Sequence, residues 1–205
     1  MLKVGLTGGI ASGKTAVAEL FRARGGRVLS ADRMAHELIA PGQPAYEEIL
    51  ETFGREVLAA DGTIDRQRLG ALVFADHAKL ERLNQIVHPR VIAALEKEFA
   101  RLAREDPNAI VIVEAALLVE AGYHCQLDKL VVTWCRPAQQ LERLRAKGLS
   151  QAEAEQRLAA QLPPEEKRRL ADYVIDCSGS REEAAAQAER VFEELKRATA
   201  PGGKR

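Results

Sequence analysis

LKVGLTGGIASGKT, residues 2–15, decides how this chain is read. Leu2 to Thr7 is a short apolar run that predicts a buried strand, and it ends in Gly8-Gly9. From Lys14 to about Arg24 the apolar residues Val17, Leu20 and Phe21 recur on one helical face. Between them, Gly8-Gly9-Ile10-Ala11-Ser12-Gly13-Lys14-Thr15 satisfies the spacing G-x-x-x-x-G-K-[ST]. Each residue type has a physical reason. Glycine lets the backbone curl so that successive N–H groups converge on phosphate oxygens. The following helix aims its partially positive end at the same anion. Lys14 would then reach the β- and γ-phosphates of a nucleotide, and the Thr15 hydroxyl would ligate Mg²⁺. The bland alternative is a Gly-rich turn with a lysine facing water. A strand directly before the loop and a helix directly after it weigh against that.

Working outward, Arg27 to Ser30 reads as a second strand, with Asp32 just beyond it. Strand, helix and strand in so few residues predict a βαβ unit and a parallel sheet, hence an α/β fold. Met34 to Glu105 is helical in pattern, with turn signals at Pro41-Gly42, Asp61-Gly62 and His88-Pro89. It is expected to form a helical lobe between sheet strands. Ala109 to Val113, Asp128 to Thr133 and Tyr173 to Asp176 supply three more strands, for a total of five. Ser150…Glu153 and Ser180…Glu183 fit the Ser-x-x-Glu capping box at two helix starts. The last helix sets Ala184, Ala188, Val191, Phe192 and Leu195 on one stripe for packing on the sheet, and the tail APGGKR is expected to fray. The expected organisation is one domain over 1–205. Its core is about 1–33, 106–142 and 173–197, its helical lobe about 34–105 and its lid about 143–172.

Composition narrows the function. The 205 residues carry 30 Lys plus Arg against 30 Asp plus Glu, which disfavours nucleic acid as a partner because binding it requires surplus cations. The three cysteines, Cys125, Cys135 and Cys177, have no CxxC spacing, so neither a disulfide framework nor a zinc site is expected and all three read as buried or half-buried thiols. The opening MLKVGLTGG lacks the pattern of a signal peptide, and no apolar run is long enough to span a membrane. A cytoplasmic protein without a membrane partner is the expectation, with a monomer favoured.

Several side chains remain open between a chemical and a structural role. Asp32, past the second strand, sits where α/β sheets gather ligand contacts, and suits either a general base for an acceptor hydroxyl or the N-cap of the next helix. Glu114, at the end of the third strand, reads equally as a carboxylate holding magnesium through water or as one facing solvent. Arg143 and Arg157 stand out in a cationic stretch that would close over a nucleotide as a lid. Lys167, Arg168 and Arg169 read as solvated helix charges. His88 is read either as structural or as a functional side chain at a helix start. No Asn-Lys-x-Asp guanine reader occurs, which disfavours a GTPase.

GLTGGIASGKT followed by SADRMAH resembles the dephospho-CoA kinase family. The likeness continues through PGQPAYEEI, FGREVLAADGTIDRQRLGALVF, LNQIVHPRV, ALLVEAGY, QLERLRAKGLS, RLAAQ and ADYVIDCSGS, in order and over nearly the whole chain. The resemblance implies a P-loop fold of the nucleoside monophosphate kinase type, with a five-stranded parallel sheet covered on both faces. It implies that ATP is held by Gly8, Gly9, Ala11, Ser12, Gly13, Lys14, Thr15 and Ala16, with Mg²⁺ on Thr15 and with Arg143 and Arg157 near the phosphates. Asp32 would be the base on the ribose 3′-hydroxyl of dephospho-CoA, and His88 a substrate-side residue. This chain departs from the family's usual pattern at three places. Ala11 and Ala16 stand in the loop where Gly and a hydroxyl residue are usual, and Ala11 is compatible if its φ is negative. Ala116 and Val119 replace a proline and an aromatic before Glu120. Cys177 replaces a frequent Asn. Rival readings are another small-molecule P-loop kinase, acting on a nucleoside monophosphate or shikimate, and a nucleotide-binding protein without catalysis.

Overall fold

The computed structural model describes residues 1–199; the expectation for the APGGKR tail lies outside them. In chain order the elements are β1 (Leu2–Gly8), α1 (Lys14–Ala23), β2 (Arg27–Ser30), α2 (Ala31–Leu38), α3 (Pro44–Phe53), α4 (Arg66–Phe74), α5 (His77–Glu105), β3 (Ile110–Glu114), β4 (Lys129–Trp134), α6 (Pro137–Ala146), α7 (Gln151–Ala159), α8 (Pro164–Leu170), β5 (Tyr173–Asp176) and α9 (Arg181–Thr199). They group into two compact units, one of Met1–Ser30 with the chain from Phe99 onward, the other of Ala31–Glu98.

The first unit is built on a five-stranded sheet of order β2-β3-β1-β4-β5, parallel throughout. Runs such as Ile110-Val-Ile-Val113 are apolar without alternation because both faces of the sheet are covered. On one face, Val17, Ala18 and Phe21 of α1 meet Ala188, Val191, Phe192 and Leu195 of α9 over Val4, Leu6, Ile112, Val131 and Ile175. The Phe21 and Phe192 rings lie 5.3 Å apart and tilted. On the other face Gly5 leaves room for Leu118 and Leu127; a Cβ there would stand 2.5 Å from the Leu118 side chain. Both Ser-x-x-Glu boxes form: Ser150 and Glu153 exchange side chain-to-backbone bonds at the start of α7, as do Ser180 and Glu183 before α9.

The second unit is helical, around Ala45, Ile49, Phe53, Val57, Ile64, Leu69, Val73 and Ile86. Asp65 caps α4 by accepting the N–H groups of Gln67 and Arg68. The expected break at His88-Pro89 is absent: α5 runs unbroken from His77 to Glu105. Pro89 removes one backbone donor from the helix. Buried Ile86, Val91 and Leu95 hold the turns on either side, and the Arg90 guanidinium donates to the Ile86 carbonyl while pairing with Glu48 at 2.8 Å. Packing outweighs the helix-breaking tendency.

Candidate active site

Because every strand is parallel, their carboxyl ends share one edge, and there the loop of residues 8–15 turns from β1 into α1. Gly8 pairs in register with Thr133 and has φ +155; a Cβ there would lie 2.4 Å from the Thr133 carbonyl oxygen, so only glycine fits. Gly13 has φ +98 and opens α1 with no side-chain cap and no acidic residue in the first turn. The first amides of α1 therefore keep their hydrogen-bonding capacity and partial positive charge, which is the electrostatic requirement for an anion site.

The loop is braced on all sides. Ile10 N–H donates to Gln161 Oε1 at 2.8 Å, and its carbonyl accepts from Gln140 Nε2 at 2.8 Å. Arg143 gives one guanidinium nitrogen to the Ala11 carbonyl at 3.0 Å and another to the Cys177 carbonyl at 2.8 Å, tying the loop to the end of β5. Ser12 is buried and shares a 2.7 Å hydroxyl–hydroxyl bond with Thr133, which in turn donates to the Thr7 carbonyl. Ala11 departs from expectation: its φ is +60 rather than negative. A left-handed alanine costs about 1–2 kcal/mol. The bonds to the Ile10 and Ala11 carbonyls hold the chain in that conformation.

Lys14 Nζ lies 3.3 Å from Glu114 Oε1, and the Thr15 hydroxyl lies 3.4 Å from the same oxygen. Glu114 is only 9% exposed, which overturns the reading of it as a solvent-facing carboxylate. The neighbouring carboxylate and hydroxyl are hard oxygen donors of the kind magnesium accepts. Among the described residues no cluster of three or more His, Cys, Asp or Glu side chains could cage a metal. A cation bound here would complete its shell with water and phosphate oxygens, as Mg²⁺ commonly does. Ala16 is exposed beside Thr15.

Asp32 and His88 belong to the helical unit. Asp32 is exposed and is the second residue of α2, inside the helix rather than at its N-cap. It follows Ser30, the last residue of β2, whose register partner is Glu114. His88 is half-buried on α5, and burial holds its imidazole below the ordinary value. Burial also lowers His36, with Arg66 acting the same way and Asp32 opposing.

Arg157 lies half-buried on α7 within electrostatic range of Glu153, and among the described residues no hydrogen bond joins it to the loop. Lys167 is not the solvated charge its sequence context predicts. Its side chain is 0% exposed, pairs with Glu120 at 2.6 Å and donates to the Ala116 carbonyl at 2.8 Å. Burial pushes its ammonium below the usual lysine range, opposed by Glu120 and reinforced by Lys14. Arg168 stacks over the Trp134 ring, whose indole N–H donates to Glu165. Cys135 and Cys177 are buried, and burial drives the Cys177 thiol up to about 11, so both are unreactive packing groups. Cys125 is exposed, contrary to expectation, because it sits in the short 3-10 helix Tyr123–Gln126 beside His124. Gln140, Gln161, Glu120 and Thr133 carry contacts that sequence reading assigned to none of them. Gln140 and Gln161 fall within stretches that carry the family resemblance, but an amide side chain does not announce which backbone group it will hold.

A parallel α/β sheet with an anion-ready loop, an ion-paired lysine and a hydroxyl at the helix start defines a P-loop kinase. The family model described as dephospho-CoA kinase matches residues 2–183. A dephospho-CoA kinase of Anaeromyxobacter dehalogenans is 47% identical over 197 residues, covering 96% of this chain and 93% of that protein. Among solved structures, TT1252 from Thermus thermophilus superposes with a TM-score of 0.78 at 36% identity, covering 95% of this chain and 97% of its own. Dephospho-CoA kinase from Campylobacter jejuni does so with a TM-score of 0.70 at 28% identity, covering 97% and 98%. The chain belongs to the dephospho-CoA kinase family.

Proposed function

We propose that this chain transfers the γ-phosphoryl group of ATP to the ribose 3′-hydroxyl of dephospho-coenzyme A, yielding coenzyme A and ADP. The observation that carries the reading is the uncapped N-terminus of α1, with Lys14 and Thr15 gathered beside Glu114 at the carboxyl edge of the sheet. In this reading the loop amides and Lys14 hold the triphosphate. Asp32 accepts the proton of the 3′-hydroxyl as that oxygen bonds to the γ-phosphorus, and the bond to the β,γ-bridging oxygen breaks to release ADP. Support for Asp32 comes from the chain itself: two residues past Ser30, it is tethered within roughly 7 Å of the end of β2. Magnesium, held by Thr15 with Glu114 behind it, would neutralise charge on the phosphates. The helical unit Ala31–Glu98 is read as the lobe that receives dephospho-CoA, with the neutral imidazole of His88 on the substrate side. Residues 143–172 are read as the lid, in which Arg157 moves toward the phosphates on closure. Arg143 acts by bracing Ala11 and Cys177. Balanced charge favours small substrates over polyanions.

The test is ATP consumption with dephospho-CoA set against AMP, CMP and shikimate. Turnover of one of the last three without the first overturns the acceptor assignment. Asp32→Asn is expected to lower kcat by about 10²–10⁴-fold with ATP affinity within twofold of the parent. Unchanged kcat removes Asp32 from the chemistry.

A further inference from the structure

The chain between α7 and α8 is gripped in a way that bears on the phosphate loop. Gln161 accepts the Ile10 N–H, and the next residue, Leu162, donates its own N–H to Glu120 Oε1 at 3.0 Å. Pro163 and Pro164 follow; they have no backbone donors, and their fixed φ makes the connection stiff. Three residues later Lys167 returns to the same carboxylate at 2.6 Å and to the Ala116 carbonyl at 2.8 Å. That carbonyl also accepts the hydroxyl of Thr7, the residue immediately before Gly8. One carboxylate thus clamps both sides of the proline pair, and five residues lie between Gln161 and Lys167. While Gln161 meets the loop directly, Lys167 shares the Ala116 carbonyl with the residue that precedes it.

A clamp built only for stability would be better apolar, because a buried ion pair seldom outperforms well-packed hydrophobic side chains. The pair is also incompletely satisfied: Glu120 Oε2 is buried with no hydrogen-bond partner among the described residues. Its directional bonds fix the position of a segment, which apolar contacts do less sharply.

We propose that Lys167, with Glu120, is a positioning residue for nucleotide binding: it anchors the base of the lid so that Gln161 is held at the Ile10 N–H and the loop keeps its nested shape before ATP arrives. It follows that α8 stays with the sheet and that, within residues 143–172 read as the lid, motion is confined to the part before Gln161. The proposal rests on the reading of the loop as the ATP site.

The experiment measures steady-state kinetics and melting temperature for Lys167→Met, Gln161→Ala, their combination, and Lys167→Met/Glu120→Leu, which replaces the ion pair by apolar groups. The expected result is a KM for ATP raised about five- to tenfold in Lys167→Met and in Gln161→Ala, with KM for dephospho-CoA within twofold. Their combination is expected to be no worse than the more impaired single variant, since both break one linkage. The apolar pair is expected to restore the melting temperature while the KM for ATP stays raised. Multiplying effects in the combined variant, or a KM for ATP that recovers together with stability, overturn the positioning role. Should Lys167→Met not fold alone, the apolar pair takes its place in the combination with Gln161→Ala, with the same two results deciding. Direct titration of the parent with ATP separates the two layers. Binding by the parent with equal binding by all variants sinks this inference alone, and no binding by the parent sinks the ATP reading beneath it.

Discussion

Gly9→Ala tests the bracing of the phosphate loop most directly. A Cβ on residue 9 would stand 2.2 Å from Gln140 Nε2, so the Gln140 amide must withdraw by roughly 1 Å to restore ordinary contact. Gln140 has no easy retreat. It is 1% exposed, its side-chain nitrogen donates to the Ile10 carbonyl at 2.8 Å, and its oxygen is already buried with no partner among the described residues. Withdrawal breaks the one hydrogen bond its side-chain amide makes among the described residues and strands a buried donor, at a cost of about 1–3 kcal/mol. For a chain of this length 2 kcal/mol lowers the melting temperature by about 4–8 °C. Calorimetry or a dichroism melt reads that loss. The mechanism, rather than the loss alone, is tested by repeating the substitution in a Gln140→Ala background. With the amide gone the added methyl has nothing to strike, and its further cost is expected to fall below about 0.5 kcal/mol. An equal cost of Gly9→Ala in both backgrounds refutes the account, as does a melting temperature within 1 °C of the parent in the single variant.

Ala11→Gly relieves a left-handed alanine at φ +60, partly offset by the greater freedom of glycine in the unfolded chain. The net expectation is a gain of about 0.5 kcal/mol and a rise of roughly 1–2 °C in melting temperature, and a fall contradicts the strain assigned to this position. His36 and His88 both have folded pKa values below the unfolded value, so between the folded value and about 6.5 the unfolded chain binds more protons. Their contribution is complete above about pH 6.5 and is lost as pH falls toward the folded values. The melting temperature is expected to drop between pH 7.5 and 5.5, less steeply in His36→Gln/His88→Gln, and equal slopes in parent and variant would rule these histidines out.

Much of the fold was legible because the strands of a covered parallel sheet need no partner to identify them. Ile110-Val-Ile-Val113 and Tyr173-Val-Ile-Asp176 are readable as strands from composition alone, and five strands with helices between them imply the architecture. The capping boxes at Ser150 and Ser180 were equally local, since both partners lie within one helical turn. The Pro89 expectation failed because a local rule met a nonlocal cost. Breaking α5 would expose Ile86, Val91 and Leu95, and the Arg90 side chain ties down the same turn by donating to the Ile86 carbonyl. The sign of φ at Ala11 was invisible for a related reason. Alanine prefers the right-handed region, and the groups that hold it elsewhere, Gln140 and Arg143, are more than a hundred residues away.

Lys167 shows where the reading of a site from sequence runs out. In Pro-Glu-Glu-Lys-Arg-Arg-Leu every charged side chain has the same claim to solvent, and α8, at seven residues, is too short for periodicity to mark one face. What separates Lys167 from Arg168 is a carboxylate at Glu120 and a carbonyl at Ala116, about fifty residues upstream and brought close by the sheet edge. Charge and spacing locate the groups that meet a ligand, because phosphate binding requires a particular motif. The groups that hold that motif in shape need only the right neighbour, and many side chains qualify. The loop of residues 8–15 could therefore be read at once, whereas Gln140, Gln161, Glu120 and Lys167 become legible only when the chain is folded around it.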